Sequence, residues 1–167
     1  MSYRLISVVI CIALMGCGAD QKKFEDRFYK TSTSDWKNYL ADVGMKDTTL
    51  NNSVLLIMRP TACSPCIKEL EWWQQNAKKY ENTNISLIII EKYEKTYQTF
   101  LNKQQVSLTT YQDSTASILI EELVPTTPIK IYFNNDGKFT AIDNMGAEGD
   151  LFSFTDQINN KKPESIR

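Results

Sequence analysis

Residues 53–73 read SVLLIMRPTACSPCIKELEWW. The run Ser53 to Met58 is apolar without alternation, which is the pattern of a strand buried on both faces. The segment from Cys63 to about Tyr80 then carries Ile67, Leu70 and Trp73 or Trp72 along one side, with Lys68, Glu69, Glu71 and Gln75 on the other, so it reads as an amphipathic helix. A buried strand running into a helix is the first half of a strand-helix-strand unit, and NISLIII (Asn84 to Ile90) supplies the second strand. Two cysteines, Cys63 and Cys66, sit where the helix begins, separated by Ser64 and Pro65.

Working outward, the pattern continues in both directions. Upstream, Thr33 or Ser34 caps a helix SDWKNYLADVG, in which Trp36, Tyr39 and Leu40 share a face and Gly44 is the stop. Downstream, Glu91 to Gln104 has Tyr93, Tyr97, Phe100 and Leu101 at helical spacing, Val106 to Asp113 is a short edge strand, and Ser114 to Leu123 a short capped helix. Ile129 to Phe133 and Lys138 to Ile142 flank an Asn-Asp-Gly turn and form a hairpin, and a last helix covers about Gly149 to Asn160 with Leu151, Phe154 and Ile158 on one face. Crossover helices join parallel strands and hairpins join antiparallel ones. The expected fold is therefore α/β, a central mixed β-sheet flanked by helices on both faces.

Composition narrows the chemistry. The chain has 167 residues, 42% of them hydrophobic and 23% charged, which are globular values for one domain. Its net charge of -1 and the lack of a basic run argue against nucleic acid as a partner. There is no histidine, which removes Ser-His-Asp and Cys-His nucleophile pairs and every histidine-containing metal site.

The start of the chain is a different kind of sequence. MSYRLISVVICIALMG, residues 1–16, has one cation and a short apolar run, which reads as a secretory signal peptide. LMGC (Leu14 to Cys17) resembles the bacterial lipobox, which implies cleavage before Cys17 and a lipid on that cysteine. Residues 17–32 then form a lipidated tether, 33–162 the folded domain and 163–167 a polar tail. Gly18 in place of an acid after Cys17 leans towards an outer membrane where there is one. The expected location is the bacterial cell envelope, lipid-anchored, on the extracytoplasmic, periplasmic side. With Cys11 in the leader and Cys17 carrying lipid, only Cys63 and Cys66 remain as thiols.

A cysteine at a helix start faces unpaired backbone N–H groups that stabilise a thiolate, so Cys63 is the expected nucleophile. Cys66, about one turn on, is placed to attack a mixed disulfide. Pro65 suits a first helical turn, and with Ser64 it tunes the ease of reduction. An inert disulfide closing so small a ring would be a weak staple. Metal binding would need ligands that two thiolates cannot complete, so no metal and no cofactor beyond a redox-active Cys63–Cys66 disulfide is expected.

These residues carry a resemblance. SVLLIMRPTACSPCIKELEWW resembles the strand, CxxC and helix of the thioredoxin superfamily, and CIKEL is similar to the matching run of its membrane-anchored bacterial members, the thiol-disulfide oxidoreductase lipoproteins. VPTTPIKIYFNNDGKF (Val124 to Phe139) is similar to the segment in which a cis-proline precedes a strand, and NMGAEGDLFSFTDQI (Asn144 to Ile158) to the approach to the final helix. The resemblance implies a thioredoxin fold, Cys63 and Cys66 as catalytic, and Thr127 and Pro128 together with Ser64 and Pro65 as substrate-binding. Pro125 competes with Pro128 for the cis position. Two departures matter: Ala62 stands where thioredoxin has tryptophan, and Ile57 where it has a buried acid. No general base carries over. Glu69 reads as a solvated helix residue and Glu91 as a weak substitute.

The implied activity is exchange of disulfides with client proteins, leaning to reduction and fed by a membrane or periplasmic redox partner. A thioredoxin fold that docks envelope proteins without turnover, and a thiol peroxidase suggested by PTAC (Pro60 to Cys63), are the alternatives.

Overall fold

In a computed structural model, the described residues are 32–46, 48–146, 151, 154–156 and 158. The expected leader, residues 17–31 of the expected tether with Cys17, and the polar tail lie outside them. Five strands form one sheet: β1 (Ser53–Met58), β2 (Asn84–Ile90), β3 (Thr109–Asp113), β4 (Ile129–Phe133) and β5 (Phe139–Asn144), in the order β3-β2-β1-β4-β5. The β1–β2 and β2–β3 pairs are parallel, β1–β4 and β4–β5 antiparallel. The helices are α1 (Thr33–Asp42), α2 (Ser64–Asn76, continued by a 3-10 turn Ala77–Tyr80), α3 (Glu94–Lys103) and the single turn α4 (Ser117–Ile120). Residues 151, 154–156 and 158 are also helical.

β1 is buried at every position and occupies the middle of the sheet, which is what its unbroken apolar run requires. Alternate residues serve the two faces. Val54, Leu56 and Met58, with Leu87, Ile89 and Tyr132, pack in one cluster with Leu70 and Trp73 of α2, Tyr97 and Phe100 of α3, and Leu151 and Phe154. On the other face lies α1, whose Trp36 stacks edge-on against Phe133 at 5.5 Å and Tyr39 at 6.2 Å between ring centroids. α1 ends in a left-handed glycine: Gly44 has φ +89°, with Met45 N–H bonded to Leu40 O and Gly44 N–H to Ala41 O.

Three local readings need correction. Tyr93 is not part of the buried helical stripe; α3 begins after it, and Tyr93 is 64% exposed. The helix expected over Ser114 to Leu123 is one turn, Ser117–Ile120, because the backbone is left-handed at Ala116 (φ +57°) before it and at Glu122 (φ +56°) after it. Buried Asp113 accepts the backbone N–H groups of Ser117 at 3.0 Å and Ile118 at 3.1 Å, and the Tyr39 hydroxyl at 3.3 Å. The third correction, Glu69, belongs to the site.

Candidate redox site

β1 runs parallel to β2 and β3, so the C-terminal ends of all three open at one end of the sheet. The chain leaves β1 at Met58, turns through Arg59 to Ala62, closed by an Ala62 N–H to Arg59 O bond of 3.0 Å, and enters α2 at Cys63. Cys63 is the residue before the helix, in extended conformation (φ -65°, ψ 156°), and its carbonyl accepts the Ile67 N–H at 3.1 Å. Pro65 occupies the first turn, where no intrahelical N–H bond is lost.

Cys63 and Cys66 are joined in a disulfide, the oxidised state of the pair. Their environments differ sharply. Cys63, Ser64 and Pro65 are exposed, whereas Cys66 retains 1% of its surface. An incoming sulfur atom therefore meets Cys63. Cys66 is covered by the segment after β5: the Met145 carbonyl lies 3.6 Å from Cys66 Sγ, in range to accept from the thiol when the pair is reduced. Gly146, at φ +96°, lies so close that a β-carbon there would be 3.1 Å from Cys66 N and 3.2 Å from both Cys66 Sγ and Pro65 Cβ. Glycine is required on both counts.

β4 is antiparallel to β1, with Ile129 opposite Ile57, so Thr127 and Pro128 arrive at the same end of the sheet as Cys63. The Thr127–Pro128 peptide bond is cis, which decides between the two prolines. Both residues are partly exposed.

Glu69 is not a solvated residue. It is 5% exposed and lies on the stripe Cys66, Glu69, Leu70, Trp73, the buried side of α2. One carboxylate oxygen accepts the Gly146 N–H at 2.6 Å; the other accepts the Trp73 indole N–H at 3.2 Å and pairs with Lys130 Nζ at 3.0 Å. Lys130, the second residue of β4, is fully buried and also donates to Asn144 O at 2.8 Å. An acid thus stands near Cys66 although Ile57 cannot supply one, coming from the helix instead of the strand. Spacing held the signal, since positions 66, 69, 70 and 73 are i, i+3, i+4 and i+7. A lysine inside the apolar run IKIYF was the matching cue. Glu91, by contrast, accepts the Tyr93 N–H at 2.9 Å and supports the start of α3.

Of the tryptophan pair, Trp73 is core and Trp72 partly exposed, their rings edge-to-face at 5.2 Å. A polar cavity of about 340 Å³ opens at the opposite end of the sheet, lined among others by Ser53, Asn84 and Thr109 at the strand starts. No carboxylate or thiol lines it. Among the described residues no helix is long and apolar enough to cross a membrane.

No protein-family model and no curated sequence matches the chain. Solved structures do. A protein assigned as the thiol:disulfide interchange protein DsbE of Chlorobium tepidum superposes with a TM-score of 0.60 at 18% identity, covering 72% of this chain and 82% of that one. A secreted disulfide oxidoreductase of Mycobacterium tuberculosis, homologous to Escherichia coli DsbE, gives 0.52 at 23% identity over 63% and 81%. The thioredoxin domain of a thiol-disulfide oxidoreductase from Bacteroides vulgatus gives 0.55 at 16% over 72% and 84%. The chain has the thioredoxin fold.

Proposed function

We propose that the protein exchanges disulfides with client proteins on the extracytoplasmic side of a bacterial membrane, acting as a reductase. The observation that carries the reading is the asymmetry of the pair: an exposed Cys63 at a helix N-terminus joined to a sealed Cys66. In the reducing direction the Cys63 thiolate attacks one sulfur of a client disulfide, forming a mixed disulfide and expelling the other client sulfur as a thiolate, which takes up a proton. Cys66 then loses its proton and attacks Cys63 Sγ, closing Cys63–Cys66 and releasing the second client thiol. Two electrons pass to the client and the protein is left oxidised, to be recharged by a thiol donor. Within this scheme Glu69 is a buried ionisable group one helical turn beyond the resolving thiol, and Thr127 and Pro128 border the docking position.

A client that is a polypeptide suits the surroundings. Tyr93, 64% exposed, follows β2 at the end of the sheet that carries the dithiol, and Ile120, 74% exposed, ends the turn of helix after β3. Extracytoplasmic placement is supported by the leader-like residues 1–16 and by the secreted protein of the same fold. Lipid attachment at Cys17 rests on LMGC alone. Incorporation of labelled fatty acid into the wild type but not into Cys17→Ser tests it.

The activity test uses the reduced full chain with a protein disulfide as substrate, and Cys66→Ser as a trap. The expected results are loss of the substrate disulfide in step with oxidation of Cys63–Cys66, and accumulation of mixed disulfides through Cys63 in the variant. A chain that leaves the disulfide intact, with no trapped species in cells, is a binding module and not an exchanger.

A further inference from the structure

A serine is out of place in the buried part of β2. Leucine and isoleucine fill the run Leu87 to Ile90, yet Ser86 stands beside it with only 8% of its surface exposed. A buried hydroxyl calls for a hydrogen-bond partner. Ser86 has none among the described residues, and no fully buried side-chain polar atom among them goes without one. Its hydroxyl therefore opens into free space, which is the polar cavity of about 340 Å³ at the strand starts.

The floor of that cavity is a patch of one sheet face. Residues two apart on a strand share a face, and the registers Leu55↔Ser86 and Ser86↔Thr109 set three side chains in a row across β1, β2 and β3. Asn84, before Ser86, and Tyr111, after Thr109, extend the row on the same face. Two residues beyond Tyr111, Asp113 accepts the Tyr39 hydroxyl of α1 at 3.3 Å. That contact takes α1 to the far end of β3 and leaves the strand starts to the connection after α1, whose buried Met45 and Leu50 line the cavity. Small side chains below and a loop above thus leave room that no side chain of the lining fills.

The lining selects a class of ligand. None of the lining residues is charged, so nothing there answers the charge of an ion, and the ligand is neutral. The hydroxyls of Ser86, Thr109 and Tyr111 and the carboxamide of Asn84 both donate and accept, which matches hydroxyl groups set close together on one molecule. Met45, Leu50 and Leu55 match C–H groups on that same molecule. A sugar ring combines the two, with hydroxyls around its edge and C–H groups on its faces. A volume of about 340 Å³ lies at the low end of small-molecule sites, roughly 300–1,000 Å³, and has room for one ring. We infer that the cavity binds one neutral pyranose ring, with its hydroxyls on Asn84, Ser86 and Thr109. The site lies at the opposite end of the sheet from Cys63 and takes no part in disulfide exchange.

The test titrates the oxidised full chain with D-glucose, D-galactose and N-acetyl-D-glucosamine and follows its amide chemical shifts. At least one sugar should saturate with a dissociation constant on the order of 1 mM, with the shifts confined to Ser53, Leu55, Ser86, Thr109, Tyr111 and their neighbours. Ser86→Ala and Thr109→Val each delete a hydroxyl and should weaken that sugar about tenfold. Thr110→Val, on the opposite face of β3, should change its affinity by less than about twofold. The 6-phosphate of the same sugar should bind at least about tenfold more weakly, because no cation faces it. Binding of the methyl glycoside as tightly as the free sugar supports a ring at the end of a glycan, and binding of the free sugar alone supports a monosaccharide. The inference is overturned when none of the three sugars saturates, when the shifts lie at the dithiol end, or when the 6-phosphate binds as well as the sugar. It is equally overturned when glycerol saturates at the same concentration, or when both hydroxyl-deleting variants bind like the wild type. Should one of them not fold, the other decides. The titration involves no client and no thiol, so it passes or fails independently of the exchange reaction.

Discussion

Gly146→Ala tests how tightly the redox helix is held from behind. Two costs add. The first is backbone: at φ +96° a residue with a β-carbon is strained by about 1–2 kcal/mol. The second is contact: the new methyl meets Cys66 N at 3.1 Å, and Cys66 Sγ and Pro65 Cβ at 3.2 Å. Two of these atoms cannot swing away, one being backbone and the other tied in the disulfide, so about 1–3 kcal/mol of overpacking is added. The expected loss is about 2–5 kcal/mol in all. Gly44→Ala isolates the first cost, because Gly44 has φ +89° and open space within 4 Å of its virtual β-carbon; it should lose about 1–2 kcal/mol. Urea unfolding of both oxidised variants, with the midpoint shifting at constant slope, gives the two values side by side. The excess of Gly146→Ala over Gly44→Ala should shrink after reduction, when Cys66 Sγ is released from Cys63. Equal losses in the two oxidised variants would refute the claim that the Gly146 segment clamps the helix start.

Two further outcomes follow from the geometry. Burial, then the charge and hydrogen bond of Asp113, push the Tyr39 hydroxyl far above its ordinary value of 10.0. The folded chain thus keeps a proton that the unfolded chain loses near pH 10. Stability from this group is full below that pH and falls above it, by up to about 1.4 kcal/mol per unit. Tyr39→Phe should flatten the loss between pH 10 and 11, and an unchanged alkaline slope would contradict the assignment; the slopes from Tyr97 and Tyr132, also raised by burial, remain in both proteins. Reduction of Cys63–Cys66 should lower the unfolding free energy by no more than about 2 kcal/mol, as the cysteines lie 3 positions apart and the closed ring is small. A loss above about 4 kcal/mol on reduction would make the disulfide a structural staple.

The parts of the fold that were legible were those in which one physical signal dominated. Ser53–Met58 and Asn84–Ile90 were found to the residue because central strands need apolar side chains on both faces. The hairpin was legible through its turn: Gly137 has φ +69° and the Asn134 side chain accepts the N–H groups of Asp136 and Lys138. Tyr93 misled because an aromatic at helical spacing fits a buried stripe equally well whether or not the helix has begun. The α4 cap was missed because Asp113 caps from inside the preceding strand, a contact set by the loop's path. Glu69 was misplaced for a different reason: charge was taken as a sign of solvent, whereas the carboxylate is paid for by a lysine 61 positions away in sequence. Only the sheet register, which puts Lys130 opposite Leu56, brings the two together.

That pairing has a consequence for how the sequence can drift. Each of Glu69 and Lys130 is tolerable only in the presence of the other, while a jointly apolar pair would fit the same space. A route from one solution to the other by single substitutions passes through an intermediate with one bare buried charge, which breaking a buried pair makes costly by about 3–5 kcal/mol. Descendants of this chain should therefore carry both charges or neither, and the rare exchange between the two should occur in backgrounds stable enough to survive the crossing.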